Sequence, residues 1–547
     1  MLLSNLNLLA TAPGGVAKLR ELILTLAVQG KLVPQDPADE PASVLLQKIR
    51  AEKDRLIAEG KIKRDKPLAG IAEEEKPFEL PAGWEWVRLG DITNYGTTTK
   101  VERLQPDTWV LDMEDIEKSS GRLLQRLRFA QRPALSDKNC FLAGDVLYGK
   151  LRPYLNKVLV ADEDGVCTTE VIPFRCYGNY VPQYFRLVLS SPFFLEYVNA
   201  RSYGMKMPRL GTEDARKSVI PLPPLAEQSR IVTRVEALMR LCDALEAKGQ
   251  LEAAQHAQLV STLLGTLTAS TTPEELADHW QRVAQHFDLL LDRPQAIDAL
   301  EQTLLQLAVR GLLVPQDPTD EPASVLLQKI RAEKDRLIAA GQIKRDKPLP
   351  PITDEEKPFE LPVGWEWVRL GALIELVSGQ HLGPSEYVDG LTASLPYLTG
   401  PAEFGTLSPE PTRSTYERRA VAVCDDILIT VKGSGVGKLN VVKHDEVAIS
   451  RQLMAIRPVL LNAEFLMIFL QTMAHYFQAK SIGIAIPGIG REDVTHAEFG
   501  LPPLAEQSRI VTRVTALRRL CTDLRQRLAE RQSVQARLAE ALMAFVA

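Results

Sequence analysis

Side-chain chemistry is densest in Tyr148-Gly-Lys-Leu-Arg-Pro-Tyr-Leu-Asn-Lys157. Lys150, Arg152 and Lys157 interleave there with Tyr148, Tyr154 and Asn156, while Gly149 and Pro153 favour a loop between two strand-like runs. Arginine and lysine can meet guanine O6 and N7 in the DNA major groove, and asparagine can meet adenine with two hydrogen bonds. The stretch therefore carries a donor set suited to base edges. A glycine-rich basic loop, Lys432-Gly-Ser-Gly-Val-Gly-Lys-Leu-Asn440, lies between two later runs and offers Lys432, Ser434, Lys438 and Asn440. A second pair of stretches, Arg201–Arg209 and Ser481–Arg491, adds Lys206, Arg209 and Arg491, suited either to phosphate contact or to a structural return into a helix. Arg122, Arg126, Arg128 and Arg132 form a basic run without intervening acids, a further candidate for phosphate contact. The competing reading of the two glycine-containing loops, Tyr148–Lys157 and Lys432–Asn440, is a solvated hairpin.

Catalytic patterns are weak by comparison. Gly433-Ser-Gly-Val-Gly-Lys-Leu has the wrong glycine spacing for a phosphate loop, and Leu439 stands where Ser or Thr is needed. No Asn/Asp-Pro-Pro-aromatic motif for adenine methylation occurs. Asp162-Glu-Asp reads as a solvated turn, and the seven histidines and six cysteines show no metal-ligand spacing. Cys242 and Cys521 fall on apolar helical faces and read as small core residues.

The elements that position these loops are written twice. Leu32–Gly90 recurs as Leu313–Gly371 at an offset of 281 with eight substitutions, and LPPLAEQSRIVTRV occurs at Leu222–Val235 and Leu501–Val514. Between the two blocks lie Asp91–Pro221 and Ala372–Gly500, which share almost no sequence. One scaffold thus presents two different surfaces. Val16–Gln29 has a helical apolar stripe stopped by Gly30, and Ser43–Glu59 reads as a charged helix stopped by Gly60. Lys63-Arg-Asp-Lys and Pro67 form an exposed loop before Trp84-Glu-Trp, an opening strand. Runs at Asp145–Tyr148, Lys157–Val160 and Glu170–Phe174, then a helix over Val181–Asn199, are matched in order by Asp426–Val431, Leu439–Val442, Leu453–Ile456 and a helix over Ala463–Gln478. Both inserts are expected to be α+β domains of one fold.

After each Pro-Pro-Leu-Ala-Glu-Gln, apolar residues step by heptads: Ile231, Val235, Leu238, Cys242, Leu245, and Ile510, Val514, Leu517, Cys521, Leu524, Leu528, resumed at Leu538, Leu542 and Phe545. Each helix is expected to pair with the other, the alternative being packing on its own domain. A helix over Leu225 to about Ala247 spans about 35 Å at 1.5 Å per residue, close to the 34–36 Å of one DNA turn.

Taken together, the twice-occurring LPxGWEWVRLG, insert, LPPLAEQ block and heptad helix resemble the specificity subunit of type I restriction-modification systems over almost the whole chain. The resemblance implies an α+β fold: two similar α/β target-recognition domains in a pseudo-twofold repeat, separated by long helices pairing as an antiparallel coiled coil. The segments would be an N-terminal region (1–90), a first recognition domain (91–221), a central region with a spacer helix (222–312), a repeated linker (313–371), a second recognition domain (372–500) and a C-terminal spacer helix (501–547). It also implies double-stranded DNA as ligand, two methyltransferase subunits carrying S-adenosylmethionine, and restriction subunits using ATP and Mg2+. This chain itself would be non-catalytic and bind no cofactor.

Composition fits a soluble cytoplasmic protein: 45% hydrophobic, 25% charged, no apolar run long enough to span a membrane, and no basic leader ahead of the N-terminal apolar residues. The net charge of −5 argues against a broad basic face, so phosphate contact must rest on local patches or a partner. A repeat-built scaffold that binds proteins through its helices remains the alternative.

Overall fold

The computed structural model describes residues 12–99, 103–132, 138–204, 206–345, 347–481 and 488–546. Two compact units emerge: Met1–Glu252 with Arg531–Ala547, and Ala253–Glu530.

In the first unit, α1 (Gly15–Val28) buries Leu19, Leu22, Ile23 and Val28. It stops because Gly30 turns left-handed at φ 71°, where a Cβ would lie 2.4 Å from Pro81. The charged helix α2 (Ala42–Ala58) buries only one stripe, Ala42, Leu45, Leu46 and Ile49. The frame leads into the insert through β1 (Glu85–Arg88), and the insert runs through β2 (Trp109–Leu111), β3 (Lys138–Phe141), β4 (Val146–Gly149), β5 (Val158–Val160), β6 (Gly165–Thr168) and β7 (Val171–Phe174). Strand order β5-β4-β7 forms one antiparallel sheet, and β6 pairs with β2 and β3 in another. The single helix expected over Val181–Asn199 is two, α3 (Pro182–Ser190) and α4 (Pro192–Arg201). Pro192 disfavours helical backbone at Ser191, which instead caps α4 by accepting from the Phe194 amide. After α5 (Thr212–Lys217), strand β8 (Val219–Leu222) pairs with β1 from Glu85↔Leu222 to Arg88↔Val219, so the two ends of the insert close on each other.

The long helix α6 (Leu225–Ala269) has 45 residues, about 67 Å at 1.5 Å per residue. This corrects the expected end near Ala247 and removes the match to a single DNA turn. Gly249 and Gly265 cost about 1 kcal/mol each relative to alanine, but Val260, Leu264 and Leu267 bury themselves and keep the helix going.

In the second unit the frame and the loop-bearing sheet recur as α7 (Pro294–Val309), α8 (Ala323–Ala339), β9 (Glu366–Arg369), β10 (Ile374–Ser378), β11 (Ile427–Thr430), β12 (Leu439–Val441), β13 (Leu453–Pro458), α9 (Ala463–Thr472), α10 (Ala474–Lys480), α11 (Arg491–Thr495), β14 (Glu498–Leu501) and α12 (Leu504–Val546), and five further strands between Tyr387 and Ile449 form a separate sheet. The order β12-β11-β13 matches β5-β4-β7, with β10 added outside β13. In the first insert a lone Thr93↔Cys176 bridge occupies that edge. Strand β9 closes on β14 with the same register as β1 on β8, Glu366↔Leu501.

The long helices run in opposite order through the two units. In the first, Leu238 and Cys242 of α6 share a core with Ala539 and Met543 near the end of α12. In the second, Val260 and Leu264 share one with Leu517, Cys521 and Leu524 near its start. Two details differ from the heptad expectation. Leu538 is 49% exposed while Ala539 and Met543 are buried, so the seam shifts by one residue there; the Phe545 side chain lies outside the described residues. The N-terminal helices also join the long ones, through Arg20 with Asp243 and Glu246, and Glu301 with Arg518 and Arg525. No described helix is long and apolar enough to cross a membrane.

Candidate nucleic-acid interface

Three backbone segments meet beyond the end of β4. The Lys150 amide donates to the Glu170 carbonyl at 2.9 Å, the Leu210 amide to the Lys150 carbonyl at 3.0 Å, and the Arg152 amide to the Pro208 carbonyl at 2.7 Å. The basic loop, the β6–β7 turn and the later loop are thereby one surface. The second insert builds the same junction: the Val431 amide donates to Gln452 at 2.8 Å, the Ile489 amide to Val431 at 3.0 Å, and Lys432 bridges Gly488. Two loops singled out separately in each sequence are therefore joined by backbone pairing in both domains.

The junction sorts the candidate residues. In the first insert Tyr154 and Lys206 are exposed, and Lys150 and Arg152 half-buried. Arg152 sits at φ 48° and Asn156 at φ 50°, bracketing a tight turn over Pro153–Leu155. Left-handed backbone suits asparagine, and the Asn156 amide donates to the Ser190 carbonyl at 3.0 Å. Asn156 is thus a buried residue of a tight turn, its side-chain amide directed to Ser190. Tyr148 is also buried, in ring contact with Tyr95 and Phe194, and burial pushes its phenol well above the usual range. Lys157 donates to the Met113 carbonyl at 2.6 Å, and burial lowers its ammonium pKa. Arg209 pairs with Glu170 at 3.1 Å, which raises its pKa. Lys157 and Arg209 are engaged within the protein, whereas the buried Tyr148 hydroxyl and the Asn156 side-chain oxygen have no hydrogen-bond partner among the described residues.

In the second insert Lys432, Ser434 and Lys438 are exposed. Gly433 and Gly437, at φ 89° and 86°, supply the left-handed turns that carry them. Asn440 donates to the Gly405 carbonyl at 3.1 Å, and Arg491 reaches the Leu376 carbonyl and the Ser378 hydroxyl of β10, so both are structural here. Part of the later loop, residues 482–487, lies outside the described residues.

The arginine run is committed internally. Arg126 pairs with Asp162 and Glu163, Arg128 with Glu163, Arg132 with Asp112, Glu114 and Asp115, and Arg122 with Glu117. Asp162 and Glu163 are therefore counter-ions and not merely a solvated turn. Arg126 also stacks 4.3 Å from the centre of Trp109. Sequence spacing hides the Arg126 and Arg128 pairs because their partners lie some 35 residues away.

The repeated frame holds both junctions with the same polar links. Trp84 donates its indole N–H to Glu227 at 2.9 Å, and Trp365 to Glu506 at 2.9 Å. Burial raises both carboxyl pKa values. Gln228 accepts from the Val181 amide at the start of α3, and Gln507 from the Asn462 amide at the start of α9. The Glu-Gln of LPPLAEQ thus fastens the long helix to the opening strand and to the domain's helices. Cys242 and Cys521 are 1% and 2% exposed, core residues at equivalent positions.

The type I restriction modification DNA specificity domain family matches residues 81–255 and 362–531. The chain is 38% identical over 575 residues to the type I restriction enzyme EcoAI specificity subunit of Escherichia coli, covering 96% of this chain and 93% of that one. It is 38% identical over 563 residues to the EcoEI specificity subunit of Escherichia coli, with the same two coverages. A chain from a structure concerned with complex assembly and conformational transition of the type I R-M system superposes with a TM-score of 0.52 at 25% identity, covering 86% of this chain and 98% of that one. Repeated frame, paired domains and opposed helices accord with these matches, and the chain belongs to the type I restriction-modification DNA specificity family, whose role is DNA recognition.

Proposed function

We propose that this chain reads a split, asymmetric DNA target, with Asp91–Pro221 facing one half-site and Ala372–Gly500 the other. The supporting observation is the repeated junction: the same backbone scaffold displays Lys150, Arg152, Tyr154 and Lys206 in one insert, and Lys432, Ser434 and Lys438 in the other. Equivalent frames with different donors read different bases, so the two half-sites differ. The chemistry is carried by partners in the cytoplasm: two modification subunits that methylate adenine with S-adenosylmethionine, and restriction subunits driven by ATP with Mg2+. This chain supplies the address.

Exchanging Asp91–Pro221 for the insert of a relative, then sequencing methylated positions in cells that hold the partner subunits, tests this. One half-site should change and the other persist. If both changed, or neither, the division of labour would be wrong.

A further inference from the structure

Most cations near the first junction are paired inside the protein, so unpaired ones elsewhere carry information. Lys63, Arg64 and Lys66 are exposed and have no ion pair or hydrogen bond among the described residues. The same holds for Lys344, Arg345 and Lys347. All six lie in the repeated frame, in a tract whose sequence from the isoleucine onward, Ile-Lys-Arg-Asp-Lys-Pro, is identical in both halves.

The first tract is tied to its unit on both sides. Ile62 packs on the core, and Asp65 pairs with Arg216 at 2.8 Å and Lys53 at 3.6 Å. Just beyond, buried Arg88 donates to the carbonyls of Ala69 at 2.8 Å, Gly70 at 3.0 Å and Lys217 at 2.6 Å. Arg369 does the same for Pro350 at 3.2 Å, Pro351 at 3.1 Å and His496 at 2.7 Å. Lys217 ends α5 and His496 follows α11, short helices that begin directly after the later loop of each junction. A six-residue helix is about 9 Å long. In each unit one buried arginine therefore links the segment that follows the tract to the end of a short helix that follows the later loop.

We propose that the two tracts are equivalent, sequence-independent phosphate-binding elements, one serving each half-site; this rests on the DNA-reading function above. Their ligand must be the same in both halves, although the inserts beside them have diverged. A duplex backbone meets that condition and base sequence does not. A partner protein docked twice would also meet it, but the exposed side chains from Lys61 to Pro67 are four cations and a proline. Apart from Arg64 they lack the aromatic anchors that, with arginine, carry most of the energy of protein interfaces.

The test uses the full chain assembled with its modification subunits. Lys63→Gln/Arg64→Gln/Lys66→Gln, the matching triple at Lys344, Arg345 and Lys347, and the sextuple are titrated with target and random duplexes across a salt series. Each triple should flatten the slope of log K against log salt by up to about 2.7, at about 0.9 per phosphate contact. The loss should be equal for target and random DNA, and the methylated sequence should not change. An unchanged slope overturns the proposal. So does an unchanged slope accompanied by loss of modification subunits from the complex, which would make the tracts protein-docking elements. If the unaltered complex itself showed no salt-dependent DNA binding, the functional reading would fail first and the phosphate sites with it.

Discussion

The helix α1 meets α6 through Arg20, which pairs with Glu246, whereas α7 meets α12 through Glu301, which pairs with Arg525. Allowing for the repeat offsets, these are the same two positions with their charges exchanged. The junction-holding pair is treated the opposite way: Trp84–Glu227 and Trp365–Glu506 are identical in residue and in distance. The exposed loops follow a third pattern, sharing backbone connections and little else. At these positions the halves are identical where Trp and Glu hold the frame, reversed where an N-terminal helix meets the first half of the long helix of its own unit, and divergent in the exposed loops. A charge reversal in otherwise similar frames penalises the wrong helix pairing, because Arg20 against Arg525 or Glu301 against Glu246 would repel. That gives duplicated halves a means of staying distinct.

The largest expected effect lies in the identical tier. Trp84→Ala and Trp365→Ala each remove a buried ring and strand a buried carboxyl, costing about 3–5 kcal/mol. Urea unfolding should show similar losses for the two variants, and a loss confined to one would break the equivalence of the frames. Next is the divergent tier. Lys150→Ala and Arg152→Ala should each weaken target binding by about 1–3 kcal/mol if they touch bases, while leaving the half-site read by the second insert unchanged. Competition titrations with duplexes altered in one half-site measure this. Uniform weakening on all sequences would assign the loop to phosphates.

A smaller effect tests the buried carboxyls. Burial raises the Glu227 and Glu506 pKa values in the folded state. Their stabilising contribution is therefore complete below the ordinary glutamate value of about 4.3 and lost as pH climbs through the raised value. Glu227→Gln keeps an acceptor for Trp84 without the charge. It should be more stable than the unaltered protein near pH 7.5, with the advantage shrinking towards pH 4, as denaturation at both pH values would reveal. The smallest effect is the reversed pair. Arg20→Glu should cost about 0.5–1 kcal/mol, since its pairs with Asp243 and Glu246 are partly exposed, and Glu246→Arg in the same chain should restore part of it, Asp243 still facing the new glutamate. Failure of the second change to compensate would remove the pairing role.

Much of this architecture was legible in the sequence because repetition and periodicity are local signals. The frame, the inserts, the strand order around Val146–Val160 and Ile427–Val441, and the buried heptad positions all follow from it. What escaped depends on long-range packing. The end of α6 was misplaced by about twenty residues because Val260 and Leu264 find their core in the second unit. Pro192 split the helix over Val181–Asn199 through a backbone restriction that apolar periodicity does not register. At the candidate site, residue types alone could not separate Lys206, which is exposed, from Arg209, which is bound to Glu170. Asparagine suits both a left-handed turn, where Asn156 sits, and a base edge, so residue type alone does not separate the two.

The division of labour between frame and insert is tested most directly by erasing the difference between the halves. A chain carrying Asp91–Pro221 in place of Ala372–Gly500 as well as in its own position would hold one insert twice. Assembled with its partner subunits in cells, its methylated sites can be read by genome sequencing. The expected target is an inverted repeat of the half-site read by the first insert, with every base of the other half-site lost. Methylation of the original asymmetric sequence by that chain would contradict the assignment of one half-site to each insert.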